Sequence, residues 1–314
     1  MPAHHTLRPS PETVHWGFFD AKLKPVLSIQ SGDRLTIESV SGGRDEAATA
    51  PVALHADHAA ILERCAPRLG PHILTGPVAV AGAEPGDTLE VRIEAVELRQ
   101  AWGYNTVRPL KGSLPEDFPE RAQTIGIPID IARREATLPW GVTVPLRPFF
   151  GVMAVAPRPD YGAVSSIEPR EFGGNIDNKE FVPGTRVLFP VQAPGALFSV
   201  GDGHAVQGDG EVCLTAIETG LIGTFELLLH KRTGLAFPRA LTPTHLIAMG
   251  MDPDLDDAAK QALREMIKWL VELKGWKPVE AYRTCSLVCD LRVTQIVDGN
   301  KGVHAMFPRN LIGV

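Results

Sequence analysis

Glycine and proline interrupt this chain so often that long helices cannot be its main element. They contribute 30 and 27 of the 314 residues, about 18% against roughly 12% in average proteins. Proline lacks a backbone donor and glycine is conformationally free, so both break helices and favour short strands joined by turns. Apolar residues make up 44% of the chain, which is too much for a disordered protein. We therefore expect a folded, strand-rich protein.

Turn residues mark where several predicted strands begin. Glycine stands beside a polar residue at Gly32-Asp33, Gly86-Asp87 and Gly184-Thr185. Such pairs are typical of tight turns, because glycine tolerates positive φ and aspartate bonds to nearby backbone. Apolar residues alternate before and after the first turn, at 27–29 and 35–40, and this pattern predicts a hairpin. The pattern returns on either side of the second turn, between 78 and 96.

An irregular stretch and a helical end complete the chain. Residues 99–143 are weakly patterned and contain several prolines, which predicts long loops. Apolar residues at helical spacing, with acidic residues at the start and glycine at the end, predict a helix over 252–275. A second helix is predicted over 278–289, because it begins with proline, and a strand is predicted over 291–297.

These elements predict an α+β, β-rich fold. We expect residues 1–314 to form one unit, with a β-rich body at 1–240 and a segment of helices and strands at 241–314.

Charge and cysteine content exclude several classes of function. The 31 basic and 37 acidic residues leave a net charge of -6 without any basic block, so nucleic acid and anionic membranes are not expected partners. The four cysteines form no pair of CxxC motifs, which favours reduced thiols in the cytoplasm. No apolar run approaches the roughly 18 residues of a membrane span, and the first residues lack a signal-peptide core.

The densest polar cluster is GDGHAVQGDGE, at 201–211. If the segment is extended, Asp202 and His204 share one face, and so do Asp209 and Glu211. Carboxylate and imidazole groups at this spacing suit Zn²⁺, and carboxylates also suit Ca²⁺. The alternative is a pair of glycine-rich turns whose polar side chains satisfy the local backbone, because two ligands do not make a metal site.

A second polar cluster lies at 171–180, where Asn175 and Asp177 follow two glycines. This cluster is either a further supplier of ligands or an Asx turn that ends a strand. His72 precedes a turn and is a candidate for lining a pocket. The motifs GxSxG, HExxH and the Walker A loop are absent from the sequence. A thiol nucleophile, Cys213 with His204 as its base, remains an alternative.

The longest of these motifs carry a family resemblance. They are GPV at 76–78, GAEPGD at 82–87, PLRPFFGVM at 145–153, GGNID at 173–177, PGALFSVGDGHAVQGDGE at 194–211 and DLRVTQ at 290–295. Together they resemble the acetamidase/formamidase family of amide hydrolases. The resemblance implies a jelly-roll-like β-sandwich body with a C-terminal α/β segment. It further implies hydrolysis of a short linear amide to carboxylate and ammonia, a homodimer or higher homo-oligomer, and a divalent metal, either Zn²⁺ or Ca²⁺.

Site residues follow from the positions that match the family's polar motifs. These are Asn175, Asp177, Asp202, His204, Asp209 and Glu211. We expect Asp177, Asp202 and His204 to bind the metal, and Glu211 to act as general acid and base, with Asp209 as the alternative for either role.

Asn175, Gln207 and His72 are expected to support the site or contact the substrate. The glycines of the motif are expected to leave clearance, so that a bulky residue at Gly203 or Gly208 reduces activity more than stability. Two other classes stay open: the Cys213 hydrolase, and a non-catalytic β-sandwich module that binds a ligand through Ca²⁺.

Overall fold

A computed structural model describes residues 2–118 and 121–313. The strands are β1 (His4–Leu7), β2 (Val14–Trp16), β3 (Phe18–Phe19), β4 (Leu27–Ile29), β5 (Arg34–Glu38), β6 (Ile73–Val80), β7 (Thr88–Leu98), β8 (Trp102–Val107), β9 (Gln123–Asp130), β10 (Glu135–Thr137), β11 (Thr143–Pro145), β12 (Phe149–Ala154), β13 (Val164–Ser165), β14 (Gly173–Asn175), β15 (Arg186–Pro190), β16 (Phe198–Val206), β17 (Ile217–Thr219), β18 (Leu221–His230), β19 (Arg239–Leu241), β20 (His245–Asp252), β21 (Asp290–Gln295) and β22 (Lys301–Pro308). The helices are α1 (Arg44–Ala47), α2 (Ala56–Arg64), α3 (Leu255–Lys274) and α4 (Pro278–Val288), with 3₁₀ turns at Pro159–Tyr161 and Arg309–Leu311.

Two large sheets contain nearly all of these strands. One has nine strands in the order β1-β5-β18-β7-β15-β19-β20-β22-β21, and the other has eleven, with the path β11-β10-β9-β8-β17-β16-β12-β14 and β6 joining β16 to β2 and β4. Phe150 and Phe198 of the second sheet lie 5.7 and 5.9 Å from Phe225 of the first, between ring centroids. The sheets thus face each other across a common apolar core. The predicted α+β, β-rich fold class is confirmed.

The two predicted hairpins are wrong, although their turns exist. Strand β4 pairs in parallel with β6 in the eleven-stranded sheet, whereas β5 pairs with β1 and β18 in the nine-stranded sheet. Gly32, at φ +92°, therefore turns the chain from one sheet to the other. Gly86 does the same between β6 and β7. Alternation indicates which face of a strand is buried, but the choice of partner depends on contacts far along the chain.

Residues 99–143 contain strands where the sequence predicts loops. Strands β8, β9, β10 and β11 form an antiparallel run at one end of the eleven-stranded sheet. Several of their residues are exposed or only half-buried, so the apolar pattern that marks a buried strand is weak here. The loop prediction holds only for part of this stretch, including 108–118.

The C-terminal helices and strand follow the sequence closely. The side chain of Asp254 caps α3 by accepting hydrogen bonds from the backbone N–H of Asp256 and Asp257 at 2.9 and 3.1 Å. Gly275 ends the helix in the left-handed conformation at φ +67°. Strands β19 to β22 extend the nine-stranded sheet, and α3 packs against β20 and β22. Over the described ranges, no helix has the length and apolar character that crossing a bilayer would demand.

Candidate metal centre

Strand β16 carries the centre of the site, between β12 on one side and β6 and β17 on the other. It presents Asp202 and His204, both buried. Asp177 follows β14, which pairs with the other edge of β12. Asp202, Asp177 and Glu211 adopt positive φ values of 54°, 54° and 46°. Side chains other than glycine rarely adopt this backbone conformation, and such strain concentrates at functional sites.

Gln207 fixes the orientation of the His204 ring. Its Nε2 donates to the backbone oxygen of Asp177 at 2.8 Å, so its Oε1 is the atom that faces the histidine. That oxygen lies 2.8 Å from His204 Nδ1, which assigns a proton to Nδ1. Nε2 therefore points toward the acidic residues, as in histidine ligands whose second nitrogen is held by a neighbour.

Four carboxylates surround His204 Nε2. Asp202 Oδ2 lies at 3.1 Å and Glu218 Oε2 at 3.3 Å. Asp177 Oδ1 and Glu211 Oε1 lie at 3.8 and 3.9 Å. The imidazole is shared between two groups whose ligand atoms all lie within 4.8 Å of one another: Asp177, His204 and Glu211, and Asp202, His204 and Glu218.

Several oxygens in this cluster lack a hydrogen-bond donor. Among the described residues, both carboxylate oxygens of Asp177, Oε2 of Glu218 and Oδ2 of Asp298 have no partner, although all are buried. Asp298 lies near Asp177, and as two buried carboxylates they repel each other. Buried charges of this kind are normally paired or bound to a metal.

The pKa shifts indicate that these charges are not balanced. Burial raises the pKa of Asp177, Glu211 and Asp298, and repulsion by neighbouring carboxylates adds to it. Burial likewise raises the pKa of Glu218, to about 8, with Asp202 adding and His204 opposing. The high values mean that these groups resist being charged together.

Asp202 and His204 shift in the direction that favours charge. Burial alone would raise the pKa of Asp202, but attraction to His72 and His204 lowers it below its ordinary value. Burial alone would lower the pKa of His204, but Glu218 and Asp202 raise it well above its ordinary value. One imidazole thus faces an excess of acidic groups, and a divalent cation would balance the remaining charge.

Gly151 leaves the space in which these side chains meet. A Cβ atom there would lie 2.4 Å from Asp177 Oδ1, 2.7 Å from Asp202 Oδ2 and 2.7 Å from His204 Cε1. Any side chain at this position would displace the acidic groups. The donor set, the unpartnered oxygens and this clearance together fit a bound cation.

A cavity of about 620 Å³ opens onto the site. His72, Asn175, Asp202 and Glu211 line it. Glu218 and Asp298 line it too, whereas Asp177, His204 and Gln207 stand behind this surface, buried. The volume lies in the range of small-molecule binding sites.

The structure separates Asp209 from the other acidic residues. Its carboxylate pairs with Lys179 Nζ at 3.0 Å and is partly exposed, with 30% of the side chain accessible. The direction of the chain after Gln207 carries it away from the cluster, so Asp209 is not placed to bind the proposed metal or to act as acid and base there. The other predicted residues lie at the site or line its cavity.

The expectation for Gly203 and Gly208 also changes. A Cβ atom on Gly203 would lie 2.4 Å from the backbone oxygen of Thr219 on the neighbouring strand, so substitution there would damage strand packing. At Gly208 a Cβ atom would meet nothing within 4 Å. Neither glycine provides the space around the acidic side chains that the sequence suggested. Gly151 provides that space instead.

Comparisons with known proteins identify the family of the chain. A model of the acetamidase/formamidase family matches residues 19–164 and 160–312. The chain belongs to this family. Within it, the chain is 28% identical to a formamidase of Methylophilus methylotrophus, over 60% of this chain and 61% of the relative. It is 29% identical to an acetamidase of Mycolicibacterium smegmatis, over 48% and 51%. The alignments thus span about half to three fifths of these curated relatives.

A solved member of the acetamidase/formamidase family has the same fold. The acetamidase of Bacillus halodurans superimposes with a TM-score of 0.84 at 29% identity, over 98% of both chains. The likeness therefore includes both sheets and the C-terminal helices.

The sequence analysis did not identify two acidic residues of the candidate metal centre. Glu218 lies in the short strand β17, where a single acidic residue between Ile217 and Thr219 was the available signal. Asp298 stands in an Asp-Gly-Asn segment that reads as an ordinary turn. Both reach the site only because distant segments of the chain come together there.

Proposed function

We propose that this protein hydrolyses the C–N bond of a linear amide of the formamide and acetamide type, giving a carboxylate and ammonia. One observation carries the proposal: a buried group of acidic residues around His204 forms the floor of a cavity that accommodates a small molecule. Membership of the acetamidase/formamidase family supports the reaction class.

We further propose that Asp177, Asp202 and His204 hold a divalent cation. When bound, such an ion polarises a carbonyl group and lowers the pKa of water enough to make it nucleophilic near neutral pH. The imidazole favours Zn²⁺, and the number of carboxylates makes Ca²⁺ the alternative. A homodimer or larger homo-oligomer and a cytoplasmic location belong to the same proposal.

Glu211 is the proposed general acid and base. It lines the cavity, and burial, with repulsion by Asp177, raises the pKa of its carboxyl well above the ordinary value, the direction that suits a group exchanging protons with substrate. Its carboxylate takes a proton from the attacking water while the water oxygen bonds to the amide carbon. The same proton then passes to the amide nitrogen as the C–N bond breaks, and ammonia leaves.

Other side chains prepare this step without changing bonds. Gln207 keeps the His204 ring in place through its hydrogen bond to Nδ1. Glu218 faces the same ring nitrogen as Asp202, and its Oε1 is held by the backbone N–H of Ala216 at 2.9 Å. These contacts fix the ring and one carboxylate before substrate arrives.

Ammonia release from formamide, acetamide and larger amides tests the proposal. We expect activity that disappears after treatment with a chelator and returns with Zn²⁺ or Ca²⁺, with elemental analysis reporting which ion the purified protein contains. Full activity in a metal-free sample would contradict the metal mechanism. No ammonia from any amide would contradict amide hydrolysis and favour the non-catalytic binding module.

The thiol alternative is less well supported by the geometry. Asn105 Nδ2 lies 3.3 Å from Cys213 Sγ. The next two residues, Leu214 and Thr215, line the cavity, whereas Cys213 does not. His204 is engaged by Gln207 and the acidic residues instead. Loss of turnover in Cys213→Ala, together with resistance to chelator, would revive this mechanism.

A further inference from the structure

The cavity is much larger than formamide or acetamide requires. Formamide is scarcely larger than two or three water molecules, roughly 60 to 90 Å³ at about 30 Å³ per molecule. The cavity measures about 620 Å³. With formamide at the acidic floor, most of this space would hold water against the walls, and the walls would add nothing to binding.

An apolar wall begins directly beside the acidic floor. In the eleven-stranded sheet Leu74 pairs with Gly201 and Ile73 pairs with Trp16. One further step along this antiparallel register brings Ile73 level with Asp202. Trp16 and Ile73 both line the cavity, and side chains of directly paired residues share one face of a sheet.

Trp16 and Ile73 are buried, whereas Ala66, Pro67 and Pro71 beside them are exposed, and the wall offers little hydrogen bonding. The indole Nε1 of Trp16 already donates to the backbone oxygen of Pro71 at 2.7 Å. Other residues that extend the apolar lining are Ala66, Pro67, Pro71, Ile167, Leu214 and Val297. Behind Trp16 and Ile73, Ile61 and Leu62 of α2 form a separate apolar cluster with them, which holds the wall in position.

Charged residues of both signs also line the cavity. Arg108 pairs with Glu46 at 2.6 Å, and Arg44 donates to the backbone oxygen of Leu62. Asp45 and Lys111 add one charge of each sign. Because positive and negative groups alternate here, they do not select strongly for an acidic or a basic substrate.

We propose that the preferred substrate is an uncharged amide with a bulky apolar acyl group, either aryl-substituted or a chain of several carbons. The amide carbonyl lies at the acidic floor, and the acyl group lies along the apolar lining that Trp16, Ala66 and Pro71 provide. This inference rests on the proposed amide hydrolysis and changes only the expected size of the substrate. Apolar contact with a pocket improves catalysis by roughly tenfold or more for each well-packed carbon.

The test compares kcat/KM for formamide, acetamide, hexanamide and phenylacetamide, measured as ammonia release by the metal-loaded protein. We expect hexanamide or phenylacetamide to exceed formamide by at least about tenfold. Equal or better turnover of formamide would overturn the inference and leave amide hydrolysis intact.

A cavity-filling variant sharpens the test. Ala66 lines the cavity, so Ala66→Phe should lower the ratio of kcat/KM for phenylacetamide over formamide by about tenfold. Ala59→Phe makes the same change at an exposed position of α2 outside the cavity lining and should leave the ratio unchanged. An unchanged ratio in Ala66→Phe would contradict the placement of the acyl group.

Calorimetry separates this inference from the proposed function. If no amide is hydrolysed, the proposed function fails. The heats of binding still show whether the apolar wall of the cavity binds an apolar group. Tighter binding of phenylacetamide than of acetamide, weakened in Ala66→Phe, would support an apolar ligand site. Equal binding of the two amides would overturn it.

Discussion

Two groups of buried acidic residues in this protein behave in opposite ways. Glu90, on β7, is almost completely buried, yet three basic side chains reach it. Arg186 Nε and His230 Nε2 each lie 2.6 Å from one of its oxygens, and Arg92 Nε lies at 2.7 Å. Burial would raise the pKa of Glu90, but these partners lower it to about 2.

At the candidate metal centre only His204, with His72 nearby, faces the acidic residues among the described part of the chain, and most of their pKa values are raised. Burial of acids is therefore not what distinguishes a site. The distinguishing feature is the missing positive charge, because the chain supplies enough cations for Glu90 and too few around His204. Four predictions examine this difference, in order of decreasing effect.

Glu211→Gln should lower kcat for amide hydrolysis by about 10³-fold, since it removes the proposed acid and base. In the metal-free protein, after treatment with a chelator, the same substitution should not lower the free energy of unfolding. The reason is that it replaces a buried carboxyl group that repels Asp177 with a neutral amide. Steady-state kinetics and denaturant unfolding measure the two effects. Asp209→Asn is the matched control, as its carboxylate faces Lys179, and it should change kcat by no more than about twofold. A larger loss in the control would restore Asp209 to the mechanism.

Glu90→Gln should destabilise the fold by about 3 kcal/mol while leaving the kcat of the folded protein unchanged. Because the folded pKa is about 2 and the ordinary value 4.5, the stabilisation is complete above pH 4.5. It is lost as the pH falls from 4.5 toward 2. Unfolding free energies of wild type and variant should therefore converge over that interval. A constant difference across it would show that the three partners do not stabilise the charged form.

Gly151→Ala should reduce activity and metal content by roughly 10- to 100-fold, because its Cβ atom would push Asp177 and Asp202 from their positions. Kinetics and elemental analysis measure this effect, and thermal unfolding reports whether the fold is retained. Gly208→Ala, where nothing lies within 4 Å of the added atom, is the control and should behave as wild type. Wild-type metal content in Gly151→Ala would argue against the cation site.

Arg92→Gln should destabilise the protein by only about 1 kcal/mol, because Glu90 keeps Arg186 and His230. Arg34→Gln, which removes an exposed pair with Glu94, should cost less than about 0.5 kcal/mol. Denaturant unfolding compares the two variants. Equal effects would mean that burial of Glu90 does not strengthen its ion pairs.

Local sequence signals accounted for elements whose causes are local. Acidic residues at the start and the stop at Gly275 predicted α3 over 252–275, and the helix spans Leu255–Lys274. Pro278 marked the start of α4. The turn at Gly32 was also recognised, but the strands on either side of it enter different sheets. A turn residue determines where the chain reverses. It does not determine which distant strand pairs with the strand that follows the turn.

The candidate site divides in the same way. Asp202, His204 and Gln207 are close in sequence, and the spacing of their glycine-rich motif is enough to indicate a site. Glu218 and Asp298 reach it from separate segments, and Asp209 turns away although it belongs to the motif.

The sequence by itself determined a strand-rich α+β chain, its C-terminal helices and the motif at the centre of the site, because propensity, capping and turn chemistry act within a few residues. Only the tertiary structure decided which strands pair, which acidic residues remain unbalanced and how large a cavity stands over them. Those properties depend on pairings between residues far apart in the chain. They also depend on the distances between charged groups that are buried away from water.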